Sequence, residues 1–436
     1  MKRIYDNHAY RPSPVGSYWE AVTPKDPVDP TLDGDRVADV AIIGAGYTGL
    51  SAALHLARDF GCKPVVLDAQ EVGWGASGRN GGFNCMGGSK LGDRAYAAKF
   101  GQDDLARYYQ AQVAATTLVG NLTQDWDVGR QEDGEWAFAH RAEDFEGFSD
   151  DAARLNALCG VTSEIVPKGA LAERGLQIAH THGAMRVDAG FPLNPRAYVQ
   201  ALARAARAEG AQIFANTPVT GILSDGGRLH VTTPAGKVTA DRVILAANGY
   251  NSEDVPGWMG GRYLPVISHI MVTEPLGGGN WMGTRMAYDT RNMLHYFRRL
   301  PDDRMLFGMR GAPNDGPDAR VWMKAMVKAH FADMFPDWAD AAVDHHWAGL
   351  ICMTRDLVPY VGAIEDLPGA YASLAYHGNG VSQATWCGRQ VAGMAMGREY
   401  GGLPDGFRGP LKRFPLPGLR RHTLGPAFKW YAWKDR

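Results

Sequence analysis

The chain has little cysteine. Its 436 residues contain five (Cys62, Cys85, Cys159, Cys352 and Cys387), scattered and odd in number, with no C-x-x-C. That spacing excludes a disulfide scaffold and a redox-active dithiol, and it predicts a reducing, cytoplasmic setting. Neither sign of charge is in excess: 45 basic residues stand against 47 acidic ones. Such a balance does not suit a polyanion, so no nucleic-acid partner is expected. Long apolar runs are missing too. A membrane-spanning helix needs about 20 consecutive apolar residues, and the nearest candidate, 40–57, is interrupted by glycines. The opening MKRIYDNHAYRP has no apolar core of the signal-peptide kind. Internal repeats and low-complexity segments are also lacking. His345 and His346 are adjacent and would point to opposite faces of a strand, and no carboxylate–His ligand spacing accompanies them, so no metal site is expected.

What is present is concentrated in 38–68. An apolar strand, ADVAIIG, leads into Gly44-Ala45-Gly46-Tyr47-Thr48-Gly49, then a helix, then a second strand, PVVLD, ending on Asp68. The acid follows Gly49 by 19 residues, close to the spacing of about 20 in the dinucleotide fingerprint. Each piece has a mechanical reason. Gly44 permits the tight turn, Gly46 lets backbone N–H groups approach a pyrophosphate, and Gly49 lets helix and strand pack closely. The helix N-terminus offers free N–H donors and partial positive charge to phosphate. Asp68 is placed to accept hydrogen bonds from ribose hydroxyls.

Elsewhere the pattern is coarser. Such a length exceeds what one hydrophobic core supports, which predicts two domains. Residues 1–36 read as a Pro-rich, irregular arm. The loop at 71–84 repeats a G-x-G-x-x-G spacing at Gly73, Gly75 and Gly78, but no apolar strand feeds it. It reads as a loop lying against the first site. Residues 95–180 read as helical and charged. Asn194 and Pro195 read as the cap and first position of a helix stopped by Gly210. Strands follow through 212–247, an antiparallel set through 262–310, a helix at 320–335, and strand with loop through 346–362. The run AYHGNGVSQATW is again strand, glycine turn and helix. Its helix N-terminus would stabilise negative charge at the far end of a long cofactor.

Taken together these residues resemble the FAD-dependent D-amino-acid oxidase superfamily, which includes glycine and sarcosine oxidases. VGWGASGRNGGF and the tail PLPGLRRHTLGPAFKWYAWKDR are most similar to its γ-glutamylputrescine oxidase branch. The resemblance implies an α/β protein: a Rossmann-like FAD-binding domain assembled from 37–95, 185–255 and 345–436, after the arm at 1–36. A substrate domain, 96–184 and 256–344, would be α+β with a mainly antiparallel sheet. It also implies that Gly44, Gly46, Tyr47, Thr48 and Gly49 meet the pyrophosphate and Asp68 the ribose. Ala76, Ser77, Arg79, Asn80 and Gly81 would lie beside pyrophosphate and flavin, and Val219 would meet adenine through its backbone. Gly249 sits in an A-x-G-like turn, and Gly378, Asn379, Gly380 and Val381 match the C-terminal flavin loop.

Departures from the family pattern narrow the substrate. Glycine-oxidase-like relatives follow W-A-G-L with an Arg that grips an α-carboxylate; here Trp347-Ala348-Gly349-Leu350 is followed by Ile351. An aliphatic side chain offers no bidentate fork, so an amine is expected rather than a free α-amino acid, with Arg298, Arg310 and Arg355 as candidates for a displaced anion site. The position of covalent flavin attachment in sarcosine oxidases aligns near Gly349 rather than Cys352, so FAD is expected to be non-covalent. Where those relatives carry an oxygen-activating Lys, this chain has Leu306, which leaves oxidase and dehydrogenase both open. His295 and Tyr296 are the candidate catalytic residues; only one can face the flavin, since neighbours on a strand point opposite ways. Trp281, Trp347, Ile351 and Tyr263 are expected to wall the substrate pocket. The partners expected are a small amine and oxygen or another acceptor, with an oligomer possible. An N-alkyl amino-acid oxidase, an NAD(P)H-fed monooxygenase and a non-catalytic FAD subunit are the alternatives.

Overall fold

A computed structural model describes residues 2–12, 14–278, 281 and 283–436. The strand Arg36–Ile43 becomes fully buried from Val40 to Ile42, as expected of a parallel strand covered on both faces. It pairs in parallel with Val65–Leu67 on one side and Gly236–Leu245 on the other. Gln212–Phe214 and Ala370–Leu374 extend this parallel sheet outward, and Tyr360–Ala363 adds an antiparallel edge. A hairpin, Gly221–Asp225 with Arg228–Thr233, branches from Gly236–Leu245. Helices Tyr47–Phe60, Pro195–Ala208, Gln102–Leu122 and Gly380–Ala395 pack together through one apolar core.

Local chemistry sets the ends of these helices. Tyr47–Phe60 stops at Gly61, whose φ of 65° suits a left-handed cap. Asn194 Oδ1 accepts from the N–H groups of Arg196 and Ala197 at 3.0 and 3.1 Å, with Pro195 at the first helical position, an arrangement worth about 1 kcal/mol.

The second sheet runs in the order Val343–Thr354, Tyr263–Thr273, Met305–Arg310, Tyr296–Arg299, Met286–Asp289, Glu135–Phe138, Gly183–Val187, Ser163–Pro167. Every ladder in it is antiparallel except that between Met286–Asp289 and Glu135–Phe138. Its core is aromatic, with Phe297, Phe307, Phe331 and Trp281 fully buried.

Two expectations need correction. The region 95–180 is not wholly helical: Trp136 lies on the strand Glu135–Phe138, and Ser163–Pro167 is another strand. All four residues of EWAF are buried, so no alternation announced a strand. The arm contains a short helix, Tyr18–Val22, with a Ser17–Glu20 capping box. The tail ends in the helix Leu424–Lys434, and Leu424 and Phe428 pack with Leu264, Val266 and Ile351. All five cysteines are free. Among the described residues no helix is long and apolar enough to cross a membrane, and no group of three or more His, Cys, Asp or Glu side chains is placed to hold a metal ion.

Candidate active site

The first strand ends in a turn that only glycine fits. Gly44 has φ 111°, and a Cβ there would lie 2.9 Å from the Ala246 carbonyl oxygen. A Cβ on Gly49 would run into the Gly44 carbonyl, so this glycine sets how closely helix meets strand. At Gly46 a Cβ would lie 2.8 Å from Ser77 Oγ, which accepts the Tyr47 N–H at 3.0 Å. The second glycine loop therefore caps the first helix. Asp68 closes the turn: its carboxylate accepts the N–H groups of Ala45 at 2.6 Å and Gln70 at 2.8 Å. Burial pushes Asp68 up to about 6, against the pull of those two donors.

A single cavity of about 460 Å³ starts at this turn. Gly44, Gly46, Tyr47, Thr48, Asp68 and Val219 line one end. Ala76, Ser77, Arg79, Asn80 and Gly81 line its middle, and Gly378, Asn379, Gly380 and Val381 bring the C-terminal turn against it. The two ends are tied directly: Thr48 Oγ1 and Tyr376 Oη are 2.7 Å apart, and Ser51 Oγ donates to the Thr385 carbonyl at 2.6 Å. Gly49 and Gly249 do not reach the cavity. Gly49 is spent on packing, while Gly249 backs onto Leu350 and Ile351, and its neighbours Asn248 and Tyr250 line the wall instead.

The middle loop is clamped from outside. Asn80 Oδ1 accepts the Gly82 N–H at 2.7 Å, while its Nδ2 donates to the Ala76 and Ser77 carbonyls. Arg79 Nε donates to the Trp74 carbonyl at 2.9 Å, and its guanidinium stacks over the Trp74 ring. Indole N–H groups of Trp19 and Trp347 donate to the carbonyls of Asn80 and Arg79 at 2.8 and 2.7 Å.

Residues of the second sheet line the same cavity. Tyr296 lines it, with its hydroxyl 2.9 Å from Ser268 Oγ. Ile351 lines it as well, as an aliphatic wall. Of the three candidate arginines only Arg310 arrives: its Nη2 donates to the His377 carbonyl at 3.3 Å. Arg298 is buried on Gln131 and the Leu193 carbonyl, and Arg355 bonds the Arg413 carbonyl at the surface. Lys90 and Glu135, which the sequence did not single out, also line this end. Lys90 lies deep among protein atoms, yet its side chain faces open cavity space, so it keeps accessible surface there. Burial, with Arg310 close by, pushes it down to about 7. Burial alone pushes Glu135 up to about 8.

Four expected wall or catalytic residues lie elsewhere. His295 points away from the cavity, buried between Asp289 (2.6 Å) and His330 (3.0 Å), because Tyr296 occupies the cavity-facing position of that strand. Trp281 is in the aromatic core with Phe138 and Phe297. Tyr263 is buried and donates to the Asn251 carbonyl at 2.6 Å. Trp347 supports Arg79 rather than forming the wall. Leu306 packs with Ile270, Val272 and Trp347, also off the cavity. Large aromatics fill cores more often than pockets, and side-chain direction was not legible. For Glu135 a signal existed: it is the one charged residue in the short apolar run EWAF.

A glycine-rich turn of the dinucleotide-binding kind thus opens on one cavity that reaches a mixed sheet carrying polar groups. The family model for FAD-dependent oxidoreductases matches residues 39–394, and the chain belongs to that family. It is 31% identical over 433 residues to a probable oxidoreductase, OrdL, of Rhizobium meliloti, covering 97% of this chain and 98% of that one. It is 26% identical, over the same shares of each chain, to a γ-glutamylputrescine oxidoreductase of Escherichia coli. Among solved structures, glycine oxidase from Geobacillus kaustophilus shares the fold with a TM-score of 0.71 at 21% identity, covering 87% of this chain and all of that one. The protein is thus an FAD-dependent oxidoreductase.

The residues present fit FAD. Gly44 and Gly46 line the cavity at positions too close to their neighbours for a Cβ, Asp68 is a carboxylate acceptor beside them, and two helix N-termini open on the same cavity.

Proposed function

We propose that the protein oxidises the C–N bond of an amine or amino-acid derivative of the γ-glutamylputrescine type, using FAD held without a covalent bond. Bound FAD supplies a hydride acceptor for the carbon next to the substrate nitrogen. In this reading Gly44, Gly46, Asp68 and the loop 76–81 hold its nucleotide half, and the turn 378–381 meets its ring. The imine left on the substrate hydrolyses to an aldehyde or keto product plus an amine, and oxygen or another acceptor takes up the electrons. With this goes the division into a discontinuous cofactor domain and a substrate domain given above.

The observation that carries the reading is Ile351. It lines the cavity where a carboxylate-gripping guanidinium would be needed for a free α-amino acid, while Arg310 stands at another point of the wall. A substrate whose anionic group is remote from its reacting amine suits that displacement. The relative named a γ-glutamylputrescine oxidoreductase supports the same class. Gly349, rather than a cysteine, occupies the aligned attachment position, which supports non-covalent FAD.

The test is an anaerobic screen of the yellow holoprotein, following visible flavin absorbance. The panel is putrescine, γ-glutamylputrescine, sarcosine, glycine and D-alanine. The amines, with γ-glutamylputrescine the fastest, should bleach the flavin. Faster bleaching by glycine or D-alanine than by either amine would overturn the reading.

A further inference from the structure

Two carboxylates line the cavity among the described residues, and only one has partners. Asp68 accepts two backbone N–H groups. Glu135 is 5% exposed, faces the cavity, and has neither a side-chain hydrogen bond nor an ion pair. An unpartnered buried carboxylate is costly, and nothing in the fold compensates it. The groups around it do not supply a cation in contact. From the flanking strands come Tyr288 and the apolar Val187, which pairs opposite it. Cys85 and Lys90 come from the segment after the glycine loop, and Arg310 from the second sheet. Neither Lys90 nor Arg310 is within ion-pair distance of Glu135, and burial is the sole cause of its perturbation. The cavity therefore holds an acid whose cationic complement is absent from the protein.

Oxidation of an amine that arrives protonated can use such a group. An ammonium has no lone pair with which to assist loss of hydride from the neighbouring carbon, and alkylamines are protonated at neutral pH. We propose that Glu135 receives the substrate's ammonium and takes its proton, an inference that rests on the cavity being the site of amine oxidation. One N–H bond breaks and one O–H bond forms at the Glu135 carboxylate. The freed lone pair is then available to assist loss of hydride, with its electron pair, from the neighbouring carbon, for which FAD, when bound, would be the acceptor; the substrate would be left as an iminium. Glu135 then returns its proton to water.

The pH dependence follows with a definite sign. Held up near pH 8 by burial, Glu135 keeps its proton in the free protein at neutral pH. Binding an ammonium then expels one proton, so apparent affinity rises tenfold per pH unit up to about 8 and levels above it. In E135Q the neutral amine must come from solution, and the rise continues to the amine's own pKa, about 10. Lys90, pushed down to about 7, titrates in both proteins, so the difference between them reports Glu135. Burial pushes Cys85 up to about 12 and Tyr288 well above its ordinary value, outside this range.

The experiment is anaerobic stopped-flow reduction of wild-type and E135Q holoproteins between about pH 6 and 10. The probe is whichever amine of the panel above bleaches the wild type fastest. Its dissociation constant is taken from the concentration dependence of bleaching. The expected result is a break near pH 8 in the wild type that moves up by about two units in E135Q. The same break in both proteins overturns the proposal. Should E135Q lose its flavin, the wild type alone decides the matter: at about pH 8 the amine should compete at least about tenfold better than its isostere bearing a hydroxyl for the amine. Equal competition overturns the proposal. A wild type bleached by no amine shows instead that the amine-oxidation reading has failed, and this proposal falls with it.

Discussion

Replacing Asp68 with Asn separates two effects of nearly equal size. Burial raises this carboxylate from 3.8 to about 6, so holding it ionised at neutral pH costs the fold about 3 kcal/mol. The sign is that of an acid whose folded pKa is raised: the stabilising contribution is full below about pH 4 and is lost as pH rises through 6. Asn removes that cost. It also turns an amide NH₂ toward the N–H of Ala45 or Gln70, both of which donate to a carboxylate in the wild type. A buried donor left without an acceptor costs about 1–3 kcal/mol. The terms oppose each other, so the melting temperature of the apoprotein should move by only a few degrees. FAD binding enjoys no such compensation. Losing a charge-assisted acceptor for the ribose removes about 1.5–3 kcal/mol, a rise in Kd of about 10- to 150-fold. Flavin fluorescence quenching on titration of apoprotein gives the Kd, and scanning calorimetry gives the melting temperature. Wild-type affinity should also weaken below about pH 6, while D68N stays flat there. An FAD Kd within about threefold of wild type would refute the assignment of Asp68 to the cofactor.

Arg310→Met should raise the Kd for γ-glutamylputrescine by about 10- to 100-fold, the value of a charge-assisted contact, and leave putrescine unaffected; equal effects on both would remove the anion-binding role. His295→Ala should lower stability by about 1–3 kcal/mol through loss of the Asp289 and His330 contacts. In the same variant the anaerobic bleaching rate should stay within about twofold, and a large loss of rate with intact folding would return His295 to the chemistry. Acid precipitation of the holoprotein should leave the yellow colour in the supernatant; colour in the pellet would contradict non-covalent attachment.

Much of the nucleotide end was legible because backbone constraints there dictate residue type. Gly44, Gly49 and Asp68 are demanded by a turn, a close approach and an acceptor, and each leaves a mark at fixed spacing. The substrate end was legible only where a departure from pattern stood out, as at Ile351. His295 and Tyr296 could be told to face opposite ways, but not which faced inward, because that depends on the register of Tyr296–Arg299 against Met305–Arg310. Trp281 and Tyr263 misled for the same reason: aromatic residues serve in pocket walls as well as in cores, and only tertiary packing separates the two. Lys90 and Glu135 line the same cavity from positions 45 residues apart, a shared placement with no local trace.

The hydrogen bonds from Thr48 to Tyr376 and from Ser51 to Thr385 span more than 300 residues of chain. A ribosome would thus have to release almost the whole polypeptide before the yellow prosthetic group found its binding pocket finished. Chains cut short before about residue 370 should emerge colourless, however well their early glycine turn is formed.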